Sequence, residues 1–198
     1  FNTDFPGTLS VSSRIVKKIV YQYGKMLASH GFSYLMICTY HMALGHLKGI
    51  YNAMNMLRRK YHMIVCEPWS PVFYSKKIEE NEPPVSFDTS NEVHAGFRET
   101  SLMKYTHPLF VDESYKNLPS VFNKKIMTPT ILFKSFRELG VSEGYIGTPS
   151  KADVSYGKWF FELTVNAYVD AALKMMQHND LPDLPKKMKR QMNLLFWL

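Results

Sequence analysis

Tyr34-Leu35-Met36-Ile37-Cys38 is a continuous apolar run with no polar alternation. It is too short for a helix and has the composition of a strand covered on both faces. His62-Met63-Ile64-Val65-Cys66 reads the same way. Between them, a stretch from about Gly45 to Lys60 sets Leu47, Ile50, Tyr51, Met54 and Leu57 at helical spacing and closes on Arg58, Arg59 and Lys60, cations that suit a helix carboxyl end. A β-α-β order favours parallel strands with helices on the faces of the sheet. The expected fold is therefore three-layer α/β/α with a largely parallel sheet.

Working outward, Ser12 or Ser13 can cap a helix in which Ile15, Val16, Ile19, Val20, Tyr23, Met26 and Leu27 recur at helical spacing, and Gly31 ends it. A closing helix is expected from about Ala152 to Gln177. Its polar residues Lys158, Glu162, Asn166, Asp170 and Lys174 recur every four positions, so a narrow polar stripe predicts that most of the helix is buried. From Glu67 to Glu92 the chain is rich in Pro, Ser and acidic residues and reads as a long surface loop or lid. Residues 107–143 are interrupted by Pro108, Pro119 and Pro129 and give no clear pattern, while Gly144 to Gly147 reads as a short strand or turn.

A chain of 198 residues, 45% hydrophobic and 21% charged, has the size and composition of one globular domain. We assign that domain to residues 1–178 and a carboxyl-terminal extension to 179–198. In the extension, Pro182 and Pro185 precede a basic segment and then Leu194-Leu195-Phe196-Trp197-Leu198. An apolar terminus favours packing on a neighbouring subunit, hence a homo-oligomer with Trp197 buried. No apolar run reaches the roughly 18 to 20 residues of a membrane span. The net charge of +7 is dispersed and carries no recognition motif, which argues against nucleic acid. Cys38 and Cys66 each end an apolar run and read as buried thiols in a reducing, cytoplasmic compartment.

The segment with the character of a site is His94-Ala95-Gly96-Phe97-Arg98-Glu99-Thr100-Ser101. Inside one helix, five steps of about 100° would point His94 and Glu99 well apart. The small pair Ala95-Gly96 allows a turn, with His94 before the helix and Glu99 in its first turn, where a carboxylate also suits the dipole. The same residues can be read as ordinary capping with a packed histidine.

This octet resembles the His-Ala-Gly-x-x-Glu-Thr-Ser motif of the creatininase (creatinine amidohydrolase) family. Other stretches follow in the family's order: Phe5-Pro6-Gly7-Thr8-Leu9-Ser10, Ser29-His30-Gly31-Phe32, Thr39-Tyr40-His41 where the family has Asn-Gly-His, and Gly144 to Ser150 followed by Ala152, Gly157 and Lys158. The likeness spans about residues 5 to 178. It implies metal-assisted hydrolysis of a non-peptide C–N bond in a small cyclic amide, with a pair of divalent ions, zinc or manganese, activating water. It also implies His41 and Glu99 as metal ligands, His94 as a catalytic residue near the substrate, and ring-forming oligomers. The chain departs from the family at Asn2, at Thr39-Tyr40, at Met42-Ala43-Leu44 and at Thr148, where the family has an acid. The family's Glu-x-His and following Asp have no counterpart. Because the chain starts at Phe1 without Met, an upstream part is expected. Two ligands do not hold two ions, so this chain alone is expected to bind the pair weakly or not at all. The alternative is a non-catalytic relative kept as a scaffold or assembly subunit.

Overall fold

The computed structural model describes residues 5–75, 77–122 and 134–194. They form two compact units, one of residues 11–82 and 164–198 and the other of 1–10 and 83–163. We call them the sheet unit and the octet unit and describe each by itself.

The sheet unit begins with helix α1 (Ser13–Ser29), strand β1 (Tyr34–Met36), helix α2 (Leu44–Tyr61) and strand β2 (Ile64–Cys66). The strands are parallel and in register, Tyr34 beside Ile64, Leu35 beside Val65 and Met36 beside Cys66. Register partners share a face of the sheet. Leu35 and Val65 accordingly join a core with Val16 of α1 and Leu47, Ile50, Met54 and Leu57 of α2. On the other face Met36, Ile64 and Cys66 pack with Ala171 and Met175 of helix α6 (Val154–Met176). Helix, sheet and helix therefore stack in three layers. The helices α1 and α2 meet through glycine: a Cβ on Gly24 would lie 2.3 Å from Leu57 Cδ1, and one on Gly49 would lie 2.7 Å from the Ser13 carbonyl oxygen.

Several expectations need correction. His62 is not strand; its φ of +54° makes it the left-handed residue that turns the chain out of α2. The stretch after β2 does not start as a surface loop. It forms helices α3 (Trp69–Phe73) and α4 (Lys77–Asn81), and Glu67, Pro68, Trp69 and Ser70 are buried. Cys66 is buried but Cys38 is exposed. The helices α1 and α6 each keep an exposed apolar stripe where burial was expected. The carboxyl extension forms helix α7 (Lys186–Leu194), and Leu184 and Met192 enter the sheet unit's own core. Trp197 lies outside the described residues.

Glu67 shows why the start of that segment is buried. Its carboxylate accepts hydrogen bonds from the N–H groups of Trp69 (2.9 Å) and Ser70 (3.1 Å) and from the Ser70 hydroxyl, which meets Tyr51 Oη at 3.1 Å. Burial pushes its pKa above the ordinary value of 4.5, outweighing these donors. A carboxyl whose folded pKa is raised contributes stability below its unfolded pKa and loses that contribution as pH rises through the folded value. Glu67→Gln removes the titration. The melting temperature of the natural protein minus that of the variant should thus fall as pH rises from 4.5 and then level off; a difference that grows with pH would overturn this.

The octet unit contains helix α5 (Phe97–Thr106), 3-10 turns at Pro108–Phe110, Glu113–Asn117 and Pro149–Lys151, and the first half of α6. Single antiparallel bridges join His94 to Ile146 and Val121 to Gly147. One core gathers Phe136, Leu139, Val141 and Ile146, with Phe5 and Val121 against it. Where α5 meets α6, the rings of Phe97 and Tyr156 meet at a tilt of 54°, 4.4 Å apart, beside a fully buried Phe160.

Candidate active site

The octet contains the turn its small residues allow. Ala95 has φ +49°, Gly96 caps α5, and Glu99 stands in the first turn of that helix. Ahead of the turn, the N–H groups of Val93 and His94 both donate to the Ile146 carbonyl at 3.1 Å, and Ile146 N–H returns a bond to the His94 carbonyl at 2.8 Å. Thus the backbone of His94 is fixed on both sides. Its ring meets Phe136 edge-on at 5.5 Å.

Beneath the turn lies a residue that sequence reasoning missed. Glu92 Oε2 accepts from Phe97 N–H at 2.6 Å, the amino end of α5. Glu92 Oε1 accepts from Thr148 N–H at 2.8 Å and also from the Thr148 hydroxyl. Space for the carboxylate exists because two neighbours lack side chains: a Cβ on Gly96 would lie 2.3 Å from Oε2, and one on Gly147 2.2 Å from it. Burial raises the Glu92 pKa against the pull of these donors, and the negative charge of Glu99 adds to the rise. Arg98 closes the group, its Nε donating to Tyr156 Oη at 3.1 Å and its Nη1 to the Glu92 carbonyl at 3.4 Å. Thr148 therefore supplies two donors to Glu92 at the position where the family has an acid. The only local sign of Glu92 was an acid just ahead of a glycine turn into a helix.

His41 belongs to the sheet unit, in the loop that follows β1 and precedes α2. Its N–H donates to Thr39 Oγ1 at 3.3 Å, and the same oxygen meets His46 Nε2 at 3.0 Å. The rings of His41 and His46 touch edge-on at 5.2 Å. Burial lowers the His46 pKa, with the neighbouring His41 second. Tyr40 stacks on Trp69 at 6.0 Å, and Tyr168 Oη donates to the Thr39 carbonyl at 3.1 Å. Burial raises the Cys38 thiol, with Glu67 adding to it.

The structure thus joins His94, Glu99 and Glu92 around one turn, with His41 in the other unit. Among the described residues, no group of three or more His, Cys, Asp and Glu side chains is placed to hold a metal ion. The donors described do not fit a complete metal centre.

A family model described as creatininase, creatinine amidohydrolase, matches residues 1–172. A search of curated proteins found no match. Among solved structures, a creatinine amidohydrolase (creatininase) is 22% identical with a TM-score of 0.66, over 85% of this chain and 66% of its own. A manganese creatininase is 23% identical with a TM-score of 0.65, over 86% and 67%. A creatininase variant complexed with creatine is 24% identical with a TM-score of 0.61, over 85% and 67%. These TM-scores establish a shared fold, and the chain spans about two thirds of the length of the structures it matches.

Proposed function

Because this chain belongs to the creatininase family, we propose that it serves a metal-dependent amidohydrolase cleaving a non-peptide C–N bond in a small cyclic amide. The observation that carries this reading is the octet turn, where a backbone-fixed His94 and a first-turn Glu99 stand on either side of Ala95-Gly96, held by the half-buried Glu92. In this reading His94 moves a proton to the leaving nitrogen. Glu99 and His41 are the donors this chain offers to zinc or manganese, and a divalent ion would supply activated water. The manganese structure and the complex with creatine support the choice of metal and of a small-molecule substrate.

We further propose a single creatininase-like domain over residues 1–178, a homo-oligomer and a cytoplasmic setting. Among the described residues no helix is long and apolar enough to cross a membrane. A second reading, a non-catalytic scaffold or assembly subunit, draws on the incomplete donor set and on Tyr40, which stacks on Trp69 beside His41.

Incubation of the protein with small cyclic amides, with and without added zinc or manganese, separates the two. The hydrolase reading expects ring opening that requires the ion and falls at least about 100-fold in a folded His94→Ala variant, the scale of a lost acid–base group. No turnover with either ion at any substrate would leave the scaffold reading.

A further inference from the structure

One side of α2 carries a repeating polar set that the core does not use. Lys48, Asn52, Asn55 and Arg58 follow one another at helical spacing, which lines them up along the helix. Lys189 and Asn193 stand one turn apart on α7. Between these two rows lies a groove of about 260 Å³, with the buried Tyr51 and Met192 in its lining. That is just under the roughly 300–1,000 Å³ of sites that take drug-sized ligands, and suits a smaller molecule.

The charge of the groove has one sign. Lys48, Arg58 and Lys189 stand there with a single carboxylate, Asp183, which is already ion-paired with Lys189. Burial pushes the pKa of the Tyr51 hydroxyl up, so that group stays neutral and adds no negative charge. The amides of Asn52, Asn55 and Asn193 can each donate as well as accept.

Arg58 is the pre-set part of the site. It is half-buried; its Nη2 donates to the Val65 carbonyl of β2 at 2.5 Å and its Nη1 to Asn55 Oδ1 at 3.4 Å. A guanidinium has five N–H groups and keeps its charge at any working pH. Two bonds therefore hold its plane while other N–H groups remain for a ligand. A cation fixed in advance loses little freedom on binding, which favours affinity.

We infer that the groove between α2 and α7 binds a small organic anion with a multiply charged oxyanion group, a phosphate ester or a polycarboxylate. Three cations against one carboxylate leave a surplus that a singly charged ligand would not match. The asparagine amides suit the hydroxyl groups of an organic body. Such a ligand would tie α7 to α2 and, through Arg58 and Val65, to β2. Tyr51 extends the same tie to Ser70 and Glu67 beyond the strand. The site uses none of His41, His94 and Glu99, so its failure and the failure of the hydrolase reading are separate events.

Thermal melting and titration calorimetry of the full chain test it, with glycerol 3-phosphate and citrate as probes and sodium chloride at matched ionic strength as the reference. A dissociation constant below about 1 mM is expected for at least one probe. At about 10 mM that probe should raise the melting temperature by roughly 3 °C over chloride. The tighter of the two identifies the oxyanion. Asn52→Asp, at an exposed position on α2, places a negative charge in the groove without touching the core, and should weaken binding at least about tenfold. Lys18→Gln, on the exposed side of α1, removes the same unit of charge elsewhere and should leave the affinity unchanged. Shifts no larger than those of chloride would overturn the proposal. So would full affinity in a folded Asn52→Asp protein, or an equal loss in Lys18→Gln, since the attraction would then come from the net charge of the chain.

Discussion

Gly157→Ala should destabilise the octet unit by about 3 kcal/mol, the upper range for forcing volume into a packed core. For a chain of this size that is a fall in melting temperature of roughly 6–12 °C. A Cβ at Gly157 would stand 2.0 Å from the Ser101 carbonyl oxygen and 2.5 Å from its carbon. Both atoms are backbone, so no rotamer change relieves the overlap and α5 must move away from α6. Ser101 also binds the other helix through its side chain, accepting the Asp153 N–H at 3.0 Å just ahead of α6. The same movement would pull on the turn that carries His94 and Glu99. Thermal melting followed by circular dichroism checks the expectation, and a change within about 0.5 kcal/mol, as at an indifferent surface site, would show that the two helices are not in this contact.

Glu92→Ala should be as damaging or more so. It strips the partner from Phe97 N–H, Thr148 N–H and the Thr148 hydroxyl at once. Each buried donor left unsatisfied costs about 1–3 kcal/mol, so a loss of roughly 3–5 kcal/mol is expected. Glu92→Gln should be milder, about 1–3 kcal/mol. Both carboxylate oxygens accept a backbone N–H, and an amide offers only one acceptor. Chemical denaturation of the two variants beside Thr148→Val, which loses only the hydroxyl, gives the ranking Ala, then Gln, then Val. Equal losses for all three would mean that the carboxylate is not the centre of this group.

These two residues also mark where reading the sequence stops. The β-α-β order was legible because apolar runs too short for a helix suit strands covered on both faces, and the observed register pairs the central parts of those runs in parallel. The α5 start was legible because Ala95-Gly96 permits a turn that bulkier residues resist, and Ala95 does adopt positive φ. The Glu92 group was not. Its donors come from positions five and fifty-six residues away, and no local pattern links a glutamate to a distant threonine. Glu67 was hidden for a related reason, since an acid before Pro68-Trp69 resembles a surface turn until Ser70 and Tyr51 are brought beneath it. The exposed stripes of α1 and α6 show a further limit. Helical spacing tells which residues suit burial and says nothing of whether a neighbour is there to cover them. Glu99 was legible from its place just past the Ala95-Gly96 turn, and the resemblance alone gave it and His41 the role of metal ligands.

The division into two units also has an optical consequence. Trp69 is fully buried between Tyr40 and Phe73 in the sheet unit, and Trp159 is half-buried over Tyr156 and Phe160 in the octet unit. Indole emission shifts to the red when water reaches the ring, so each unit carries a fluorophore that senses its own opening. Replacing Trp197 and one of these indoles by phenylalanine isolates the signal of the other. Superimposable unfolding curves from Trp69 and Trp159 would mean that the halves melt as one cooperative body. Separated midpoints would give each half a stability of its own, read as colour.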